Sequence, residues 1–245
     1  MRTFLKLAGV LIALCATSPA DAAIIEITYT GHVARGVDET GVFGTAGASL
    51  AGRSYVSTFL FDTSLGITSI NDAFLPDNGS QRAEGGTDVS GAPTSPSLGS
   101  TFAIGGVVIA LDGQTYGVVG SAAHETGLGS IYSDTSEFSD TVAARIVKRN
   151  GNEIDGVNFG LPPLLTPFTY AVLAGDSAFG TFVTYRYDYG LQTESEWAHG
   201  ELTPETVTLR MAGGSPSPTP EPGVWALVVV GFGLAGAALR RRALA

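Results

Sequence analysis

Cysteine is all but missing from this 245-residue chain: Cys15 is the only one. It lies inside an apolar amino-terminal stretch behind Leu14, where lipoprotein processing wants a small residue, so no lipid anchor is expected on it. Everything downstream lacks a thiol, which excludes disulfide staples, thiol catalysis and thiolate metal centres there. Lysine is nearly as scarce, with Lys6 and Lys148 alone, and no GxxxxGK phosphate-binding loop occurs. From Ala23 to Pro220 eight basic residues face twenty-one acidic ones, a net charge of about −13. Nucleic acid is therefore not an expected partner, because phosphate binding relies on clustered Lys and Arg. Histidine offers little more. His32, His124 and His199 stand singly, and after His124-Glu125 the position of a second zinc ligand is Leu128. Long hydrophobic runs are absent from the middle of the chain and confined to its two ends.

At the amino end Arg2 and Lys6 form a basic region, Leu7 to Ala16 an apolar stretch too short to span a bilayer, and Ala20-Asp21-Ala22 presents small residues where signal peptidase reads them. Cleavage is expected after Ala22, with a competing site after Ala20. At the carboxy end Gly223 to Leu239 runs seventeen residues without a charge, at the lower limit for a transmembrane helix. Arg240, Arg241 and Arg242 follow at once, and such a basic cluster stays on the cytoplasmic side, which leaves the bulk of the chain outside. Pro220 and Pro222 lock the backbone into an extended form that an enzyme can reach, and Trp225 falls where indoles favour the interface. A permanent single-span anchor and a processed tail both fit this pattern.

Taken in order, Pro220, Glu221, Pro222, Trp225, Ala226, the step Gly231-Phe232-Gly233 and the three arginines resemble the PEP-CTERM sorting signal in its PEPxxWA variant, a tail also catalogued as an ice-binding protein carboxy-terminal domain. The usual apolar residue before the motif is Thr219 here, and the usual methionines after Trp-Ala are Leu227 and Val228. The resemblance covers about a tenth of the chain. It implies recognition and removal of the tail by a membrane exosortase, and association with exopolysaccharide and biofilm matrix. The expected organisation is a signal peptide at 1–22, an exported β domain at 23–214, a Pro/Ser linker at 215–219 and the sorting tail at 220–245, with a transmembrane helix at 223–239.

Between the termini, segments rich in β-branched and aromatic residues recur between Gly, Asn and Asp clusters. The clearest are Ile24 to Val33, Ser54 to Phe61, Thr101 to Ile104, Val107 to Leu111, Thr115 to Gly120, Thr141 to Lys148, Phe168 to Leu173, Ala178 to Tyr189 and Glu205 to Met211. Gly105-Gly106 and Asn150-Gly151 read as hairpin turns. Gly66 to Gly99 reads as one long excursion of Gly, Ser, Pro and Asp. The expected fold is all-β, a single antiparallel sandwich or jelly-roll-like domain flanked by the signal helix and the transmembrane helix.

No catalytic set is expected. Gly175-Asp176-Ser177 reads as a tight turn, unlike an esterase nucleophile turn, since Ala178 follows where that class has Leu. Glu194 and Glu196 beside Trp197 are the carboxylates a glycosidase reading would use, but spacing along a chain does not set the separation that hydrolysis needs. No cofactor is expected; calcium is the one ion that loops such as Asn71-Asp72 and Asp77-Asn78 would take. The strand Ala178 to Tyr189 places Tyr185, Tyr187 and Tyr189 on one face, where phenols could stack on sugar rings or simply pack across strands. The expected molecule is a non-enzymatic envelope or matrix protein. The partners it implies are signal peptidase, an exosortase, the membrane through the tail helix, and exopolysaccharide. A carbohydrate-active hydrolase is the alternative. An ice-binding module is a further one, for which only Thr28-Tyr29-Thr30 and Thr206-Val207-Thr208 supply the required ranks.

Overall fold

The computed structural model describes residues 23–70, 81–86, 94–111, 114–123, 129–156 and 164–212. The signal peptide, the linker, the sorting tail with its transmembrane segment, His124, and the Asn71-Asp72 and Asp77-Asn78 loops lie outside the described residues. Among those described, the chain forms thirteen strands and no helix. They are β1 (Ile24–Asp38), β2 (Ala48–Ser49), β3 (Ser54–Asp62), β4 (Ile67–Ile70), β5 (Gln81–Gly86), β6 (Ser97–Ile104), β7 (Val107–Leu111), β8 (Gln114–Ala123), β9 (Gly129–Asp140), β10 (Ala144–Gly156), β11 (Phe168–Ala171), β12 (Ser177–Asp188) and β13 (Thr193–Met211). No helix among the described residues is long and apolar enough to cross a membrane.

All the strands join one antiparallel sheet in the order β4-β5-β8-β9-β10-β12-β13-β1-β3-β6-β7, with β11 beside β13 and β2 beside β1. Strict alternation drives the long ones. In β1, Ile25, Ile27, Tyr29, Gly31 and Val33 are buried while the residues between them are not, as a pleated strand with one covered face requires. In β3, Tyr55, Ser57, Phe59 and Phe61 alternate in the same way. The hairpin β6-β7 turns on Gly105 and Gly106, whose φ of 58° and 89° are the left-handed pair that a two-residue turn demands.

The sheet curls until its two halves face each other, and side chains show where. Tyr29 of β1 meets Ser133 of β9 (Oη to Oγ 3.3 Å), Tyr55 of β3 donates to Asn152 Oδ1 of β10 (2.9 Å), Ser57 donates to Asn150 Oδ1 (3.1 Å), and Ser100 of β6 bonds Thr135 of β9 (2.7 Å). None of these strand pairs is adjacent in the sheet. The interior thus holds a polar seam beside its apolar part, in which Phe102 and Phe182 stack at 4.6 Å and Phe43 sits edge-on to both at 5.8 Å. A buried polar group without a partner costs about 1–3 kcal/mol, so the seam is tolerable because hydroxyls and amides from both halves meet in register, with Asn150 Nδ2 left over.

The structure departs from the sequence reading in three places, two of them at the seam. Asn150 and Gly151 do not turn the chain; they lie in the middle of β10, with Asn150 buried at the seam. Strand β9, GSIYSDTSEFSD, has no apolar alternation to betray it, because its inward residues beyond Ile131 are Ser133, Thr135 and Glu137. The segment from Gly66 to Gly99 is not one loop: β4, β5 and the start of β6 fall inside it.

Candidate functional site

Cross-strand partners in an antiparallel sheet share a face, so the register fixes what the outer surface of β8, β9, β10, β12, β13 and β1 presents. Three rows run across these strands, perpendicular to them. The middle row is Val118, Asp134, Gly151, Thr181, Glu201 and Arg35, each paired with the next. On one side lie Tyr132, Glu153 and Phe179, again paired in sequence. On the other lie Tyr116, Ser136, Arg149, Val183, His199 and Val37. Gly151 and Thr181 are the small residues of the middle row, and the surface is hollowed into a trough over them.

Two clefts occupy this trough and meet at Thr181. One, of about 340 Å³, lies over Gly151 with Tyr132, Asp134, Arg149, Glu153 and Phe179 around it. The other, of about 590 Å³, lies over Thr181 and Gly200 with Arg35, Glu196, His199 and Glu201 around it. Phe179 is 52 % exposed, an apolar ring standing at the rim. Tyr132 lies across the glycine of the neighbouring strand: a Cβ added to Gly120 would sit 2.2 Å from its ring.

The charges in the trough are fixed in pairs. Arg149 Nη2 donates to Asp134 Oδ2 at 2.6 Å and its Nε to the same oxygen at 3.2 Å. Burial pushes the Asp134 carboxyl above its ordinary range and the guanidinium opposes that rise, while the pairing raises Arg149. Arg35 donates to Glu201, which lowers the Glu201 carboxyl. His199 Nδ1 stands 2.9 Å from Glu196 Oε2.

Tyr185 and Tyr187 lie on this same outer face, paired across β12-β13 with Glu196 and Glu194, and Phe182 and Thr184 face inward. Tyr189 lies just past the strand and meets Tyr187 edge-on at 5.6 Å. The register shift between Thr184 and Tyr185 leaves Trp197 as the inserted residue of β13. Asp176 is spent on its own turn, where it accepts from the Tyr170 hydroxyl and the Leu173 amide at 2.6 Å each. Of the histidines, His32 bonds Glu205 Oε1 at 2.9 Å and His199 joins the trough. Among the described residues, no group of three or more His, Cys, Asp or Glu converges as a metal cage.

Tyr132, Asp134, Arg149, Gly151, Glu153 and Phe179 are not singled out as site residues by the sequence. Their one legible signal is alternation along β10, where Arg149, Gly151 and Glu153 share a face, and it is hidden by reading Asn150-Gly151 as a turn. Comparison with protein-family models, with curated proteins and with solved structures finds no match.

Proposed function

We propose that the chain is an exported envelope or matrix protein, sorted through a PEP-CTERM tail that an exosortase removes, and that its β domain binds exopolysaccharide without catalysing a reaction. The observation that carries the sorting half is the fixed order Pro220-Glu221-Pro222, Trp225-Ala226, uncharged stretch, then Arg240 to Arg242. A tail of this kind serves as a stop-transfer segment until it is cut, since a positive cluster beside an apolar span holds its orientation. The signal peptide with its small residues at Ala20 and Ala22 supports the same route. The binding half draws on the outer face, where Tyr185, Tyr187 and Tyr189 stand near the trough. In fold terms the finer reading is a two-layered sandwich of jelly-roll type, which the contacts of β1, β3 and β6 with β9 and β10 support.

Fractionation of cells that make the protein, with and without residues 220–245, followed by mass spectrometry of the released form, tests the route. The expected result is a shorter form, cut at both ends, outside the inner membrane, and its loss when the tail is deleted. A full-length chain in the cytosol with both termini intact would refute the proposal.

A further inference from the structure

Resting on the polysaccharide reading above, we infer that the trough is the binding site, and that its occupant is one strand of an uncharged polysaccharide lying across β8 to β1 over Gly151 and Thr181. Length is the first argument. The middle row crosses six strands, and five inter-strand steps of ~4.8 Å give a trough of roughly 24 Å, which suits an elongated polymer better than a compact metabolite. Wall chemistry is the second. Phe179 and Tyr132 offer ring surface to the apolar faces of sugars, and the Arg149–Asp134 pair, locked in place, offers both donors and acceptors to hydroxyls without having to be ordered on binding.

Charge decides among polymers. Arg149 and Arg35 stand against Asp134, Glu153, Glu196 and Glu201, a formal charge of −2 with His199 neutral, and each arginine already holds a carboxylate. A polyuronate would be repelled and would find no cation to claim. An extended peptide is disfavoured on other grounds: it takes its main-chain bonds from a sheet edge, and the floor strands are paired on both sides. Gly151 is what keeps the floor low. A Cβ added there would stand 3.3 Å from Asp134 Cγ, tighter than an ordinary contact, so a side chain would both rise into the cleft and push the carboxylate that Arg149 holds.

The test uses the full-length chain in detergent micelles, against soluble neutral glucans and galactomannans, a polyuronate, and an extended peptide library. The expected result is binding to a neutral glycan with little dependence on salt, and none to the polyuronate. Phe179→Ala should weaken it by about tenfold, the loss of one ring contact. Gly151→Val should abolish it and lower the thermal midpoint, because the Asp134 carboxylate has to give way, whereas Phe179→Ala should leave the midpoint close to that of the parent. Phe179→Ala decides the matter if Gly151→Val fails to fold, since Phe179 is half-exposed. Unchanged glycan binding in folded variants, or a preference for the polyuronate, overturns the trough as the site and leaves the polysaccharide reading standing. Binding by the parent chain to peptides alone, or to none of these probes, overturns both.

Discussion

Asp38 illustrates what one carboxylate does in this fold. It is wholly buried at the end of β1, and its two oxygens accept the backbone amides of Gly41, Val42 and Phe43 at 2.7–2.9 Å. That cradle shapes the loop that carries Phe43 into the aromatic cluster with Phe102 and Phe182. Asp38→Ala orphans three amides at once and should cost about 3–5 kcal/mol, whereas Asp38→Asn keeps one acceptor oxygen and should cost about half as much. Denaturant unfolding of the two variants measures this. An Asp38→Ala midpoint equal to that of the parent would show that the cradle carries no weight.

At the scale of the element, β7 is one of the two strands that end the sheet, and its outer edge has no strand partner among the described residues. A two-residue hairpin makes Ile104 and Val107 a hydrogen-bonded pair, so Val108 and Ala110 turn their main-chain groups away from β6. Lys148, the one lysine of the β domain, reaches from β10 to the Ala110 carbonyl at 3.0 Å and pairs with Glu137 at 3.3 Å. An ammonium on a strand edge blocks pairing with another chain. Lys148→Met should therefore lower stability by about 1–3 kcal/mol and promote self-association that rises with concentration, read by sedimentation. A variant that stays as dispersed as the parent at all concentrations would dismiss the capping role. Elements also mark what the residues alone disclose. The alternation of β1, β3 and β12 is written in the chain, and so is the face shared by Tyr185 and Tyr187. β9 and the second half of β10 are not, since between Ile131 and Glu137 in β9, and before Ile154 in β10, their inward positions are Ser, Thr and Asn, whose place in a strand depends on hydroxyls and amides from β1, β3 and β6. The trough was illegible for a related reason: Asp134, Gly151 and Thr181 are strangers along the sequence and become neighbours only through the register.

For the molecule as a whole, the buried phenols set a limit on alkaline stability. Burial pushes Tyr29, Tyr55 and Tyr116 far above the ordinary value of 10.0, and burial followed by the bond to Asp176 takes Tyr170 to about 12. Below pH 10 both folded and unfolded chains keep these protons and the stability is whole. Above it the unfolded chain loses protons that the folded one retains, so stability falls as pH rises. Phenolate absorbance should show Tyr29, Tyr55 and Tyr116, three of the eight tyrosines, ionising only as the fold is lost. Ionisation of all eight near the ordinary value, with the fold intact, would contradict this. The pairing of β1 with β13 works at the same scale, because the centre of the sheet waits for the last strand to arrive, and such non-local contacts make for slow folding. It also has a mechanical side. Ile25 sits opposite Met211, so the first and last strands part company at one end of the sheet. Tension applied between those two points loads the rungs one after another, as a zip opens, instead of shearing them together, and a domain so strung would yield to a modest tug between its ends while resisting the same force applied along its strands.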